Sequence, residues 1–357
     1  AQYQRIKPEI DLAVERTILQ TSFIGGESVA QFEQAFAEYL GAPQVVSCGN
    51  GTDALEIIMR VLEIGPGDEV LVPAMSWIST SEVVVTAGAT PVFVDVDPVS
   101  YTINCDMLGQ KISERTKAII PVHLYGHPAD MRVIMKIAEQ HNLWVVEDCA
   151  QAHGASIDGQ KVGTWGHAAA FSFFPSKNLG CYGDGGAMVF QDEKNASQAR
   201  IIASHGQETR HHHVIHGRNS RLDGLQAAVL QVKLAYLDQW IAEKKQLAQL
   251  YKQLLSDTDL IICPQTQSGY EHGWHLYVVR TPMRERVREN LIKNDIQTGI
   301  HYPTALPFQP CYQNLGYRPE DFPVTAEYQP LILSLPMYAE LTESQLTNIV
   351  HVIKDSL

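Results

Sequence analysis

Short apolar runs recur along the first half of this 357-residue chain, most of them separated by stretches of helix length. They are Val70-Leu71-Val72, Pro91-Val92-Phe93-Val94, Ala118 through Val122, Leu143 through Val146, the run at 168–173, and Ala187-Met188-Val189-Phe190. The helix-length segments fall at 76–88, 104–112, 130–141 and 193–204. Continuous apolar strands alternating with helices predict an α/β fold, a mainly parallel sheet covered on both faces. A short strand at Val45–Ser47 brings the count to about seven.

Helix starts are readable in places. Ser28-Val29-Ala30-Gln31 has the form of a capping box, with Phe32, Ala35, Phe36 and Tyr39 on one face behind it. Before it, Thr21 through Gly26 reads as a turn with an exposed aromatic. Cys48-Gly49-Asn50-Gly51-Thr52-Asp53-Ala54-Leu55 opens a helix that places Leu55, Ile58, Met59 and Leu62 on one face. From Asp223, as a cap, to about Leu255 the pattern is one long or broken helix. A second unit follows: strand His275–Val279, helix 284–294, strand Thr298–His301 and a Pro- and aromatic-rich loop to about 338. A helix capped by Thr342-Glu343-Ser344-Gln345 closes it. The expected division is a large domain at 1–235, with an N-terminal arm, and a small α+β domain at 236–357.

Charge narrows the partners. With 27 Lys and Arg against 40 Asp and Glu, the net charge is −13, which argues against nucleic acid and anionic membranes. No apolar run approaches the roughly 20 residues of a membrane span. The first residues show no signal-peptide pattern and the six cysteines form no C-x-x-C pair, so free thiols in a cytoplasmic protein are expected. His205, His211, His212, His213 and His216 form a dense tract. It lacks thiols or carboxylates at ligand spacing, so a loop near the active site is preferred to a metal hydrolase.

The chemistry sits at strand ends. The 168–173 run leads into Ser172-Phe173-Phe174-Pro175-Ser176-Lys177-Asn178-Leu179-Gly180 and then Gly183-Asp184-Gly185-Gly186. The run before it ends in Glu147-Asp148-Cys149-Ala150-Gln151-Ala152-His153-Gly154. A lone loop lysine is ordinarily solvated, but one beside a packed sheet loses hydration and becomes a nucleophilic amine. A lysine and an aspartate at the ends of buried strands are the two groups pyridoxal phosphate (PLP) requires. Gly51-Thr52 at a helix start offers free N–H groups to an anion such as its phosphate, and Ser172 adds a hydroxyl. Gln151 follows at a spacing that could reach the phenolic oxygen; the ordinary alternatives are a helix cap for Asp148 and a satisfied polar contact for Gln151. Trp77, after another strand, is either a flat aromatic for the ring or an ordinary core residue.

Taken together, these motifs resemble the DegT/DnrJ/EryC1/StrS family of PLP-dependent sugar aminotransferases, of fold type I. The likeness runs nearly end to end. It includes Phe23-Ile24-Gly25-Gly26, Phe32-Glu33, Gly217-Arg218-Asn219-Ser220-Arg221-Leu222-Asp223, His301-Tyr302-Pro303 and Leu335-Pro336-Met337. The resemblance implies that Lys177 carries PLP, Asp148 meets the pyridinium nitrogen, Gln151 the phenolic oxygen, and Trp77 stacks on the ring. Gly51, Thr52 and Ser172 would hold the phosphate. Asn219 would reach the neighbouring subunit's cofactor, which implies a homodimer with shared sites. Arg218, His301 and Tyr302 would lie by the sugar nucleotide.

Lys177 argues against the dehydratase branch, which carries histidine there. The lysine stretch with Gly183-Asp184-Gly185-Gly186 is similar to members acting on 3-keto sugars, which makes Tyr182 a candidate sugar contact. The implied reaction moves nitrogen from glutamate to a nucleotide-linked keto sugar, with dTDP-3-keto-6-deoxyhexose as the first choice. The product would be an amino sugar of a surface polysaccharide such as an O-antigen, or of another glycoconjugate. The alternatives are a UDP-linked 3-keto or 4-keto sugar and a PLP-binding regulatory protein without catalysis.

Overall fold

The computed structural model describes residues 1–357. Its central sheet has seven strands: β1 (Gln44–Cys48), β2 (Glu69–Pro73), β3 (Thr90–Val94), β4 (Thr116–Ile119), β5 (Trp144–Asp148), β6 (Ala168–Ser172) and β7 (Gly186–Phe190). The order across the sheet is β1-β7-β6-β5-β4-β2-β3. Strands β6, β5, β4, β2 and β3 pair in parallel, while β7 runs antiparallel to both β1 and β6. Neighbouring residues of one strand feed different cores. Val70, Val72, Val146, Ala168, Ala170 and Met188 enter one apolar cluster; Leu71 and Val145 enter a second, and Ala169, Phe171 and Val189 a third. This two-residue alternation with burial on both sides explains why the strands read as unbroken apolar runs.

The flanking helices are α1 (Lys7–Leu19), α2 (Glu27–Leu40), α3 (Gly51–Val61), α4 (Ser79–Thr86), α5 (Met131–His141) and α6 (Glu193–Ala203). Beyond them come α7 (Gly224–Leu234) and α8 (Leu237–Leu254), broken at Ala235–Tyr236. None is long and apolar enough to cross a membrane. Helix α1 is an element the sequence reading did not expect. Ile6 and Ile10 bury against Val229 and Trp240, so α7 is covered on the side away from Phe32 and Phe36.

Three local expectations need correction. Helix α2 starts at Glu27, one residue before the supposed capping box; its cap is Gly26 at φ +82°, and no side chain caps it. The left-handed glycine turns the chain into the helix first, so Ser28 already lies inside the first turn. Asp223 occupies the cap position of α7 without making a cap hydrogen bond, its backbone instead forming a bridge with Ile24. Thr298–His301 is not a strand, since only Gly299 bridges, to Ser334.

The C-terminal part is α+β. An antiparallel pair, β8 (Tyr277–Arg280) and β9 (Ile332–Leu335), packs with α8, α9 (Arg284–Lys293) and α10 (Glu343–Lys354). Helix α10 has a true capping box, Thr342 with Gln345. We propose the domain division at the α7–α8 break, because the apolar cluster of Tyr251, Tyr277, Leu291 and Ile353 draws only on residues after it.

Candidate active site

Asp148 ends β5 and Ser172 ends β6, neighbouring strands whose register pairs Asp148 with Ala170. The carboxyl ends of parallel strands are where such sheets open a crevice. Asp148 is buried, accepting from Thr80 Oγ1 at Oδ2 (2.8 Å) and from the Ala150 N–H at Oδ1 (3.2 Å). Ser76 Oγ lies 2.7 Å from Thr80 Oγ1, extending the chain back to the loop after β2. Burial raises the Asp148 pKa, against the opposing pull of Thr80, the Ala150 amide and the charge of Lys177.

Lys177 follows β6 in a turn closed by its own N–H to the Phe174 carbonyl (2.8 Å). Burial lowers its pKa, and the Asp148 carboxylate pulls the other way. The two groups therefore feel each other's charge across the crevice. Gln151, also buried, accepts from the Tyr125 N–H (2.7 Å) and donates to Tyr302 Oη (2.9 Å). Burial pushes the Tyr302 phenol up to about 12, and its ring lies 5.7 Å from that of Trp77. Trp77 is 58% exposed, so it is no core residue but an open aromatic face. His301 Nδ1 lies 2.8 Å from Ser334 Oγ, and its carbonyl accepts from Tyr125 Oη.

The start of α3 packs directly on the strand ends. Asn50 caps it, accepting from the Asp53 N–H (2.8 Å). A Cβ at Gly51 would sit 2.7 Å from Ser172 Cβ, and one at Gly186 would sit 2.5 Å from the Asn50 carbonyl. Only glycine lets these backbones meet, which brings the helix N-terminus, with Thr52 beside it, against Ser172. Thr52 Oγ1 lies 2.7 Å from Ser79 Oγ of α4.

Other expected residues have their partners elsewhere in this chain. Arg218 pairs with Asp53 (2.6 Å) and Glu56 on α3, and Asn219 is exposed, its backbone bridged to Ser204. Tyr182 lines a surface groove with Tyr3, Ile10 and Ile18, the Lys233 amine 4.3 Å over its ring. The histidine tract forms an exposed hairpin, Gln207–Thr209 with His212–His213.

Sequence reading missed Thr80, Tyr125 and a buried pair behind Asp148. His123 Nδ1 accepts from the Ala129 N–H (3.0 Å), so its proton sits on Nε2 and goes to Glu147 (3.0 Å). Glu147 also accepts from the N–H groups of Gly163, Trp165 and Gly166, each at 2.8 Å. Cys149 lies close enough to complete a set of metal-ligating types, but His123 and Glu147 already have their partners. Glu147 was visible beside Asp148; what binds it required the fold.

Residues 4–354 match the DegT/DnrJ/EryC1/StrS aminotransferase family. The chain is 41% identical to a pleiotropic regulatory protein of Geobacillus stearothermophilus (99% of this chain, 96% of that one). It is 38% identical to a dTDP-3-amino-3,4,6-trideoxy-α-D-glucose transaminase of Streptomyces venezuelae (99% and 94%). Identity to a UDP-N-acetyl-3-dehydro-α-D-glucosamine 3-aminotransferase of Acidithiobacillus ferrooxidans is 41% (100% and 96%). Among solved structures, S. venezuelae DesV in complex with a ketimine intermediate superposes with a TM-score of 0.97 at 38% identity (99% and 96%). With a strand-end lysine and aspartate on this sheet and likeness along the whole length, the chain belongs to the DegT/DnrJ/EryC1/StrS aminotransferase family.

Proposed function

We propose that this protein is a PLP-dependent transaminase that moves nitrogen from glutamate to a nucleotide-linked keto sugar, with dTDP-3-keto-6-deoxyhexose as first choice. The observation that carries it is the charge-coupled pair of buried Asp148, at the end of one strand, and half-buried Lys177, in the turn after the adjacent strand. The residues fit the cofactor. The close approach of Gly51 to Ser172, which a Cβ would block, suits a phosphate at a helix N-terminus, with Thr52 and Ser172 as hydroxyl donors. The exposed face of Trp77 suits the ring, and Gln151 its phenolic oxygen.

When bound, PLP supplies an electron sink for the bond broken at the donor's α-carbon. Asp148 would keep a proton on the ring nitrogen, held in aim by Thr80. Lys177 would hold the cofactor between turnovers. Its amine, whose pKa burial lowers, would then take the α-proton and return it. Tyr302 and His301 border the same crevice and are assigned to the sugar, as are Arg218 and Tyr182. Exposed Asn219 would reach across a homodimer to the neighbouring cofactor.

The 3-keto assignment rests on the Gly183-Asp184-Gly185-Gly186 run and on relatives named for 3-amino sugars; one named for a UDP sugar keeps that nucleotide as the alternative. The relative named as a regulatory protein favours a second reading, a PLP-binding sensor without turnover. One experiment separates them. Purified protein is mixed with glutamate and dTDP- or UDP-linked 3-keto and 4-keto sugars, and the amino sugar is followed by mass spectrometry. The expected result is turnover with a 3-keto sugar, and its loss in Lys177→Ala with the fold intact by circular dichroism. A visible cofactor band fixed by borohydride but no turnover would select the sensor, and activity surviving in Lys177→Ala would refute the assignment of that lysine.

A further inference from the structure

A cavity of about 220 Å³ beside Lys177 contains a second amine. Lys244, from α8, lines it together with Asn178, His275, Gln2 and Glu340. Its Nζ donates to Asn178 Oδ1 (2.8 Å), and no carboxylate lies within ion-pair distance. The next residue, Lys245, shows the ordinary alternative: exposed and paired with Glu271 at 2.8 Å. Glu340 is the one acid on the cavity wall; its Oε1 is buried without a hydrogen bond and stands 3.8 Å from Arg5, which also holds Glu243 at 2.7 Å. Burial pushes the Lys244 amine down to about 8, the Glu340 charge opposing. On the same wall His275 Nδ1 is buried without a hydrogen-bond partner.

A half-buried cation that makes no ion pair, on a wall whose one acid lies beside Arg5, next to an imidazole nitrogen without a partner, is an arrangement that a carboxylate would relieve. The proposed reaction brings one ligand with a carboxylate to spare. An amino donor must present its α-carbon to Lys177, and a dicarboxylic donor carries a second anion away from the reacting carbon. We propose that Lys244, assisted by His275, binds the side-chain carboxylate of the amino donor and so selects a dicarboxylic amino acid over a neutral one. This rests on the transaminase reading, which fixes what reacts at Lys177. Asn178 serves both lysines: it follows Lys177 in the chain, accepts from Lys244 and donates to the Gly273 carbonyl (2.5 Å). Donor recognition on α8 is thus tied to the lysine loop itself.

The test uses the holoenzyme and inert probes. Glutarate and butyrate binding are measured by calorimetry for the wild type, Lys244→Gln and Lys244→Arg. Glutamine keeps a donor for Asn178 without the charge; arginine keeps both. Glutarate should bind the wild type about tenfold or more tighter than butyrate, and Lys244→Gln should lose that advantage while Lys244→Arg keeps most of it. In turnover, Lys244→Gln should raise KM for glutamate and leave KM for the nucleotide sugar unchanged. Equal binding of glutarate and butyrate by the wild type would overturn the proposal, even if no variant folds. So would undiminished glutarate binding by Lys244→Gln, or a loss falling on dTDP and UDP binding instead. Failure of the transaminase reading is visible separately, as a wild-type cofactor band that glutamate does not shift.

Discussion

Acid should unfold this protein from an unusually high pH, because histidines rather than carboxylates carry the first loss. His153 is fully buried, its ring 5.4 Å from Phe171 and 5.8 Å from Phe173. Burial, with the charges of Lys177 and Lys244 adding, pushes its pKa from 6.5 down to about 3. Its folded pKa is therefore depressed. Between about pH 6.5 and 3 the unfolded chain binds a proton that the native state refuses, so stability is whole above that window and lost as pH falls through it. At about 1.4 kcal/mol per unit, His153 alone costs about 2 kcal/mol by pH 5 and about 5 kcal/mol by pH 3. That is a large share of the roughly 5–15 kcal/mol a native protein has. His272 and His275 are shifted in the same direction, burial again first among the causes. Urea unfolding of the cofactor-free protein at fixed concentration, from about pH 7.5 to about 4.5, measures the slope. His153→Leu should flatten it by about 1.4 kcal/mol per pH unit, whatever the variant's absolute stability. An unchanged slope in the variant, or a wild type level from about pH 7 to about 5, would refute the reasoning.

Two further outcomes follow from close contacts. Gly51→Ala must push α3 away from Ser172, since the new Cβ would meet Ser172 Cβ at 2.7 Å and Cα at 3.2 Å; PLP affinity, read by fluorescence titration, should fall about tenfold or more, and stability by about 1–3 kcal/mol. Asp95 is fully buried and accepts from the N–H groups of Val324 (2.8 Å) and Thr325 (3.0 Å) and from Thr325 Oγ1 (2.6 Å), tying the C-terminal segment to the end of β3. Asp95→Ala strands those donors and should cost about 3–5 kcal/mol in urea unfolding, with faster hydrogen exchange at 324 and 325; an effect below about 1 kcal/mol would show that water replaces it.

How far the sequence could be read depended on whether the signal was local. The strands were legible because burial on both sheet faces leaves each one a continuous apolar run, and Lys177 and Asp148 because each follows such a run within a few residues. Helix α1 was not. Its apolar stripe is thin, Ile6, Ile10 and Val14, and its partners Val229 and Trp240 lie more than two hundred residues away in the chain. The cap at Gly26 was hidden for a related reason: a glycine works by backbone angle, whereas Ser28 advertised a side chain it does not use. Thr80 looks like any helix threonine until the fold brings it to Asp148, 68 positions on. Arg218 carries the opposite lesson, since its motif was plain and its partners Asp53 and Glu56 were not.

Why one acid of β5 serves structure while its neighbour is free for chemistry can be argued from hydrogen bonds alone. Glu147 and Asp148 are consecutive, both buried, and point to opposite faces of the strand. Glu147 accepts four hydrogen bonds, from His123 and three backbone N–H groups, and nothing about it calls for a ligand. Asp148 accepts two, too few to offset its burial, and its pKa rises; the Lys177 amine facing it is pushed down by the same loss of water. A pair left in that condition adds little to stability, because the attraction between its members is spent on their desolvation. One ligand that gives a protonated nitrogen to the acid and a carbon to the amine removes both costs at once. On the proposed roles of Lys177 and Asp148, the unfavourable burial of this pair would be the energetic reason the crevice binds PLP, and the four bonds to Glu147 would keep the strand end rigid enough for the aim to hold.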